Sequence, residues 1–410
     1  MEDVGQRPPS RWNPARVQGC GEMLGLLRDG RAQTIGDLAD AMDMARSTVV
    51  QRVEHLVADG LVIVDRAKTT NGRGRPAVIL RFNSGAGAVL VGQVGVTGAR
   101  VAVADLDGRL LAQELDVSPL EAGPDTVVER LIAAFDRVVA TAGITRVDLR
   151  GIGIGWPGSV GIDAGRGDTD RTDVGFTTDS LIRRLRAEFG LPVLVDEDVN
   201  LLALGEHRSS WPTTDVLVCV KVGSIIGCGT VIGGEVVRGA QHVAGRIGHL
   251  TVPGNTTPCH CGNVGCLDAV AGGAALVRRL RAGGLVVDDV AHLVALAGVG
   301  VPEAVQAIRT AGRHIGDVLA YAVNLLNPGV IAFWGYLIGA ERELLAGIRE
   351  SIYQHALPAA THSLQLVRAT VGDSAGLIGA ATMVVSDVLA PDLLDERLAR
   401  SIGQTARSQL

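Results

Sequence analysis

The chain has 410 residues, 47% hydrophobic and only 3% aromatic, with 54 glycines and a net charge of −6. That length holds two or three domains, and small aliphatic residues mixed with glycine suit α/β layers joined by tight turns. No apolar run reaches the roughly 18 residues of a membrane span, and the opening MEDVGQRPPSR has no apolar signal core, so a cytoplasmic protein without a membrane partner is expected.

Charge is unevenly spread. Residues 1–82 carry 12 Lys and Arg against 10 Asp and Glu, and the rest of the chain 26 against 34. Residues 66–81 hold Arg66, Lys68, Arg73, Arg75 and Arg81 with no acid. An acidic body with one basic strip suits a DNA reader attached to another domain.

Three short amphipathic helices are expected first. One covers residues 16–28 and stops at Gly30. The second starts at Thr34 with Asp37 three residues on, a capping-box variant, and turns Ile35, Leu38, Ala39 and Met42 inward. The third covers 46–59, with Val49, Val53, Leu56 and Val57 at helical spacing and a start at Ala45 that no side chain caps. Its other face shows Arg46, Ser47, Thr48, Gln51, Arg52 and His55. Arg can fork onto guanine, Gln can pair with adenine, and hydroxyls can reach phosphates. The spacing of helices two and three matches a helix-turn-helix. Strands at 61–64 and 77–80 then form a wing. Its tip, residues 68–76, offers Lys68, Arg73 and Arg75 to a narrow minor groove.

From Val89 the pattern changes. Strands at 89–94, 100–105 and 110–116, a helix at 125–142 and a strand at 151–154 read as one actin-like, ribonuclease-H-like lobe. Strands at 216–222, 227–232 and 235–237, a helix at 301–326, a strand at 330–334 and a closing helix at 375–389 read as a second. Two such lobes enclose a ligand cleft. Within the second, Cys259, Cys261 and Cys266 place three thiols in eight residues, which points to metal rather than disulfides. Tetrahedral zinc needs a fourth ligand; His249 upstream and His260 within the loop are the two candidates.

Residues from Gly85 to about Leu389, with the helix-turn-helix ahead of them, resemble the ROK family of repressors, open reading frames and sugar kinases. The resemblance is carried by LVGQVGVTGARVAVADLDGRLL, GIGIGWPGSVG, LPVLVDEDVNLLALGEH, VVRGAQHVAGRIGHL, CHCGNVGCLDA and LLNPGVIAFWG, in the family's order. It implies an α/β chain: a winged helix-turn-helix over 1–82, a linker and hinge at 83–87 containing Gly85 and Gly87, a two-lobed sugar-kinase-like body over 88–390, and a C-terminal tail at 391–410. It favours His249 with Cys259, Cys261 and Cys266 as a closed, structural zinc site.

The resemblance also places an effector site at Glu197, Asp198, Arg246, His249 and Asp268. Asp198 and His249 match the family's sugar-binding residues. Asp268 is a shorter acid, Glu197 stands for Asn, and Arg246 stands for Glu. Arg246 suits a carboxylate or phosphate, which suggests an acidic or phosphorylated sugar. The alternative is an internal Arg246–Glu197 pair in a cleft that binds nothing.

The ATP elements are altered. Gln93-Val94-Gly95-Val96-Thr97 lacks the acid of the family's Asp-x-Gly-Gly-Thr. Gly223-Ser224-Ile225-Ile226-Gly227 puts a branched side chain where backbone should meet phosphate. Tyr336 follows Gly335 where a second Gly is usual. The expectation is therefore no catalysis. It is instead a repressor of carbohydrate-related genes, a homodimer or tetramer on an inverted-repeat operator in double-stranded DNA, with a sugar or acidic-sugar effector. A ROK-type sugar kinase is the alternative.

Overall fold

The computed structural model describes residues 17–66, 78–95, 98–116, 124–158 and 178–408. The N-terminal unit is three helices and a hairpin: α1 (Cys20–Arg28), α2 (Ile35–Ala41), α3 (Arg46–Ala58), β1 (Val62–Arg66) and β2 (Val78–Phe82). The capping box at α2 is present: the Asp37 amide donates to Thr34 Oγ1 at 3.1 Å, and the Thr34 amide donates to Asp37 Oδ2 at 2.9 Å. Ala45 provides no side-chain cap to α3. β1 and β2 pair antiparallel, Val64 opposite Leu80. The expected wing tip, with Lys68, Arg73 and Arg75, lies outside the described residues.

The body contains the same sheet topology twice. The first lobe has β3 (Ala88–Gly95), β4 (Gly98–Asp105), β5 (Leu110–Asp116), β6 (Leu149–Trp156) and β7 (Val193–Glu197) in the order β5-β4-β3-β6-β7. The second has β8 (Val216–Val222), β9 (Ile226–Ile232), β10 (Glu235–Val236), β11 (Val330–Trp334) and β12 (Gln365–Arg368) in the order β10-β9-β8-β11-β12. In each, an antiparallel three-strand meander is followed by two parallel strands. β7 and β12 were not expected from the sequence.

Helices fill the faces. α4 (Pro124–Ala142) packs against β4 and β5, and α10 (Pro302–Leu326) lies along α11 (Glu341–His355). Between the sheets run α6 (Asp198–Ser210) and α13 (Ala375–Val388). A Cβ on Gly205 would overlap the Ala375 carbonyl, and one on Gly379 the Leu201 carbonyl; two glycines thus let these helices touch backbone to backbone. That contact holds Asp198, the first residue of α6, at the join of the lobes.

Two segments differ from expectation. Residues 391–408 are a helix, α14 (Pro391–Ser408), and not a tail. Leu394, Leu398 and Ala399 are buried in one continuous core with Leu24, Leu38 and Leu56 of the N-terminal unit and Val384 of α13. Residues 83–87 include a 3-10 turn at Ser84–Ala86 that is bonded on several sides. Asn83 Nδ2 donates to the Gly60 carbonyl at 2.8 Å, and Arg150 donates to the Ala86 carbonyl at 3.0 Å. The segment is thus tied at both ends. Among the described residues no single helix is long and apolar enough to cross a membrane.

Candidate DNA interface, metal centre and effector cleft

On α3 the residues expected to face DNA separate into two groups. Arg46, Ser47 and Gln51 are exposed and Thr48 is half-buried. Arg52 is buried, and this corrects the expectation that it faces DNA. It lies on the inward stripe with Val49, Val53 and Leu56. Its Nη1 meets Met44 Sδ at 3.0 Å, and its carbonyl accepts a contact from the Cys20 thiol at 3.7 Å. Arg52 thus braces α3 against α1.

The metal centre is assembled by folding. Gly265 and Gly262 turn the cysteine loop back, and isolated bridges Thr251–Cys266 and Pro258–Val264 close it. A 3-10 turn at Ile247–His249 then brings His249 against it. His249, Cys259, Cys261 and Cys266 each offer one ligand atom, all within 4.8 Å of one another. The Cys261 and Cys266 sulfurs are 3.7 Å apart, and His249 Nδ1 is 3.8 Å from Cys259 Sγ. Two thiolates bound to one tetrahedral zinc at about 2.3 Å would be about 3.8 Å apart, so the donor set fits that ion. His260 packs edge-on against the His249 ring at 5.4 Å, with its Nδ1 also 3.8 Å from Cys259 Sγ, and is outside the four-residue cluster.

The five expected effector residues are brought to one region but are engaged internally. Glu197 is buried and accepts from Arg246 Nη2 at 3.1 Å, the internal pairing that the sequence left as an alternative. Burial pushes the Glu197 carboxyl up to about 6, against the pull of Arg246. Asp198 is paired with Lys221 of β8. Asp268 Oδ1 accepts from the Ile226 amide at 2.7 Å, and His249 belongs to the metal cluster.

Three further residues were missed: Lys221, Asp196 and Arg238. Asp196 accepts from Arg238 Nε at 2.8 Å and from Asn200 Nδ2 at 2.8 Å. Lys221 carried a legible signal, since a lone Lys inside the apolar strand VLVCVKV demands a counter-ion. Arg238 and Asp196 carried none.

A cavity of about 580 Å³ lies between the lobes, lined by Gln93, Asp198, Lys221, Trp334, Tyr336 and Arg368 among others. Its lining includes Gln93, Val94, Gly95, Gly335 and Tyr336, from two of the three loops that the resemblance assigns to ATP. Here the base-like carboxylate of Asp198 is neutralised by an ammonium. Gly335 has φ +115°, and a Cβ there would meet the Val222 carbonyl, so this turn needs glycine. The next residue, Tyr336, is exposed.

A three-helix unit with a β-hairpin, joined to paired sheets of the same topology and a Cys₃His cluster, defines a DNA-reading head on a sugar-kinase-like body. Residues 91–387 match the ROK family, and the chain belongs to it. A xylose repressor of Caldicellulosiruptor bescii is 26% identical over 90% of this chain and 95% of its own length. The crystal structure of a ROK family transcriptional regulator, a homologue of the Escherichia coli Mlc protein, superposes with a TM-score of 0.78 at 25% identity. It covers 95% of this chain and 100% of that one. A ROK hexokinase from Thermus thermophilus gives a TM-score of 0.59 at 32% identity, over 72% of this chain and 97% of that one. A 95% match must include most of the N-terminal unit, whereas 72% can be met by the body alone.

Proposed function

We propose that this protein is a DNA-binding repressor of carbohydrate-related genes. Its interlobe cleft takes a sugar or sugar-derived effector, and its His249–Cys259–Cys261–Cys266 cluster holds a structural zinc ion. The observation that carries the reading is the match to a ROK regulator along nearly the whole chain, head included. Four protein ligands leave no open position on the ion, so bound zinc would fix the loop that leads into the short helix carrying Asp268 and would take no part in chemistry.

The DNA head would read bases through Arg46, Ser47, Thr48 and Gln51, with Lys68, Arg73 and Arg75 of the wing on the backbone or minor groove. Two heads on an inverted repeat, with half-sites about 34 Å apart, require a homodimer or a larger symmetric assembly. Tyr321, Leu325, Tyr353 and Leu357 are exposed where α10 and α11, which run in the same direction, both end, and the Leu357 amide donates to Asn324 there. Such an apolar patch supports association through the body. Since its target is DNA, the protein is placed in the cytoplasm.

The sugar-kinase reading is supported by Asp198 and by the likeness of the body to a hexokinase. Against it stand Gln93 for an acid in the first loop, Ile225 in the second, and Lys221 on the base. Band-shift assays on the chain's own promoter region, run beside an ATP-coupled assay over a sugar panel, separate the two. Sequence-specific retardation without turnover is expected. Turnover without retardation would replace the repressor by the kinase.

A further inference from the structure

The end of β7 and the start of α6 place three carboxylates in a row, Asp196, Glu197 and Asp198. Each is paired with a cation from the other lobe: Arg238 to Asp196 at 2.8 Å, Arg246 to Glu197 at 3.1 Å, and Lys221 to Asp198. The lobes are thus joined at the cleft by a clasp of three ion pairs on consecutive residues. The pairs are layered in one sense. The carboxylate side chains are 6–9% exposed, and the cations 21–31% exposed. The acids lie behind, and the cations stand between them and solvent.

We propose that this clasp makes the cleft selective for a sugar carrying an anionic group, a carboxylate or a phosphate, over neutral sugars. The inference rests on the sugar-effector reading above and narrows it.

Neutral hydroxyls reach the carboxylates only by moving the cations aside, and separating a buried pair leaves two charges without partners. An anionic group meets the cations directly and makes charge-assisted hydrogen bonds to them. The Asp198–Lys221 pair forms part of the wall of the 580 Å³ cavity, and Arg368 and an Arg100–Asp373 ion pair line the same wall. Glu197 is the rung most easily given up, because its own burial and its neighbours Asp198 and Asp196 all oppose its charge, and Arg246 holds it.

The test is isothermal titration of the purified full chain with glucuronate, glucose 6-phosphate, glucose, xylose and inorganic phosphate. The expected result is that glucuronate or glucose 6-phosphate binds at least about tenfold more tightly than either neutral sugar and than phosphate; which of the two wins tells carboxylate from phosphate. Two charge-balanced double variants, Glu197→Gln with Arg246→Gln and Asp198→Asn with Lys221→Met, each remove one rung without leaving a lone charge. Either one, once its cooperative melting shows it folded, should bring the preference below about threefold. Neutral sugars binding as well as anionic ones, phosphate binding as tightly as the sugars, or a preference unchanged in both variants overturns the clasp and leaves the effector reading standing. A chain that retards DNA yet binds none of the panel overturns the effector reading, and the clasp's selectivity with it.

Discussion

Asp395 accepts a hydrogen bond from the backbone amide of Gly21 at 2.8 Å across 374 residues of chain. Its second oxygen accepts from the Gly19 amide at 2.6 Å, so one carboxylate from the C-terminal helix caps the first turn of the DNA head. Anionic groups are favoured at such a terminus, where amides have no partner in the helix. Arg397 to Asp59, at 2.8 Å, adds a second tie at the end of α3. α13 starts beside the cleft-lining residues Gly372 and Asp373 and leads through a 58° bend into α14. A packed connection therefore runs from cleft to head, and any effect of ligand on DNA binding has this route available.

Replacing Asp395 by Ala should loosen the head without unfolding the body. Loss of a cap costs ~1–2 kcal/mol. Hydrogen exchange should show faster opening of α1 amides, with β3 and β8 unchanged. Equal protection of α1 in both proteins would show that the cap contributes nothing.

Metal removal should be felt locally and strongly. Cys261→Ser is expected to lower bound zinc from one ion per chain and to reduce the melting temperature, since structural zinc contributes apparent binding energies of roughly 10–16 kcal/mol in small peptides. His260→Ala should keep the full zinc content and His249→Ala should not. Elemental analysis of the three variants decides between the histidines, and the reverse pattern would reassign the fourth ligand.

Glu197 sets a pH dependence with a definite sign. Its folded pKa of about 6 lies above its ordinary 4.5. The folded state therefore binds this proton more tightly than the unfolded chain. The corresponding stability is fully present below the lower value and is lost as pH rises to about 6, by ~2 kcal/mol. Urea midpoints from pH 4.5 to 7.5 should fall less steeply for Glu197→Gln than for the parent protein. Parallel curves would mean that burial does not shift this carboxyl.

Arg52 and Gln51 are neighbours with opposite expected behaviour. Gln51→Ala should weaken operator binding by ~1–3 kcal/mol and leave melting almost unchanged. Arg52→Ala should lower stability by ~1–3 kcal/mol, through lost packing against Met44 and a poorer joint between α1 and α3. Paired band-shift and denaturation curves check both, and a stable Arg52→Ala protein with impaired base recognition would return Arg52 to the DNA face.

Much of this was legible along the chain. Thr34 and Asp37 announced the start of α2, the glycine-bounded alternating runs announced most strands, and the Cys259–Cys266 spacing announced a metal loop. These signals are local, because capping, strand alternation and loop chelation act over two to eight residues. The Arg52 expectation failed for a local reason as well. At helical spacing Arg52 sits within the buried stripe, but its polarity argued for the surface, and its long stem let it lie inside with the guanidinium beside Met44.

By itself, the order of residues determined most of the elements and the thiol cluster, since each depends on patterns shorter than one helix or hairpin. Only the tertiary structure decided that His249 joins the three thiols in one cluster, that residues 391–408 clamp the head, and that three acids of one lobe meet three cations of the other. Those outcomes depend on distances between segments separated by up to 376 residues, and the charges on both sides are common enough that no spacing along the chain singles out the pairs.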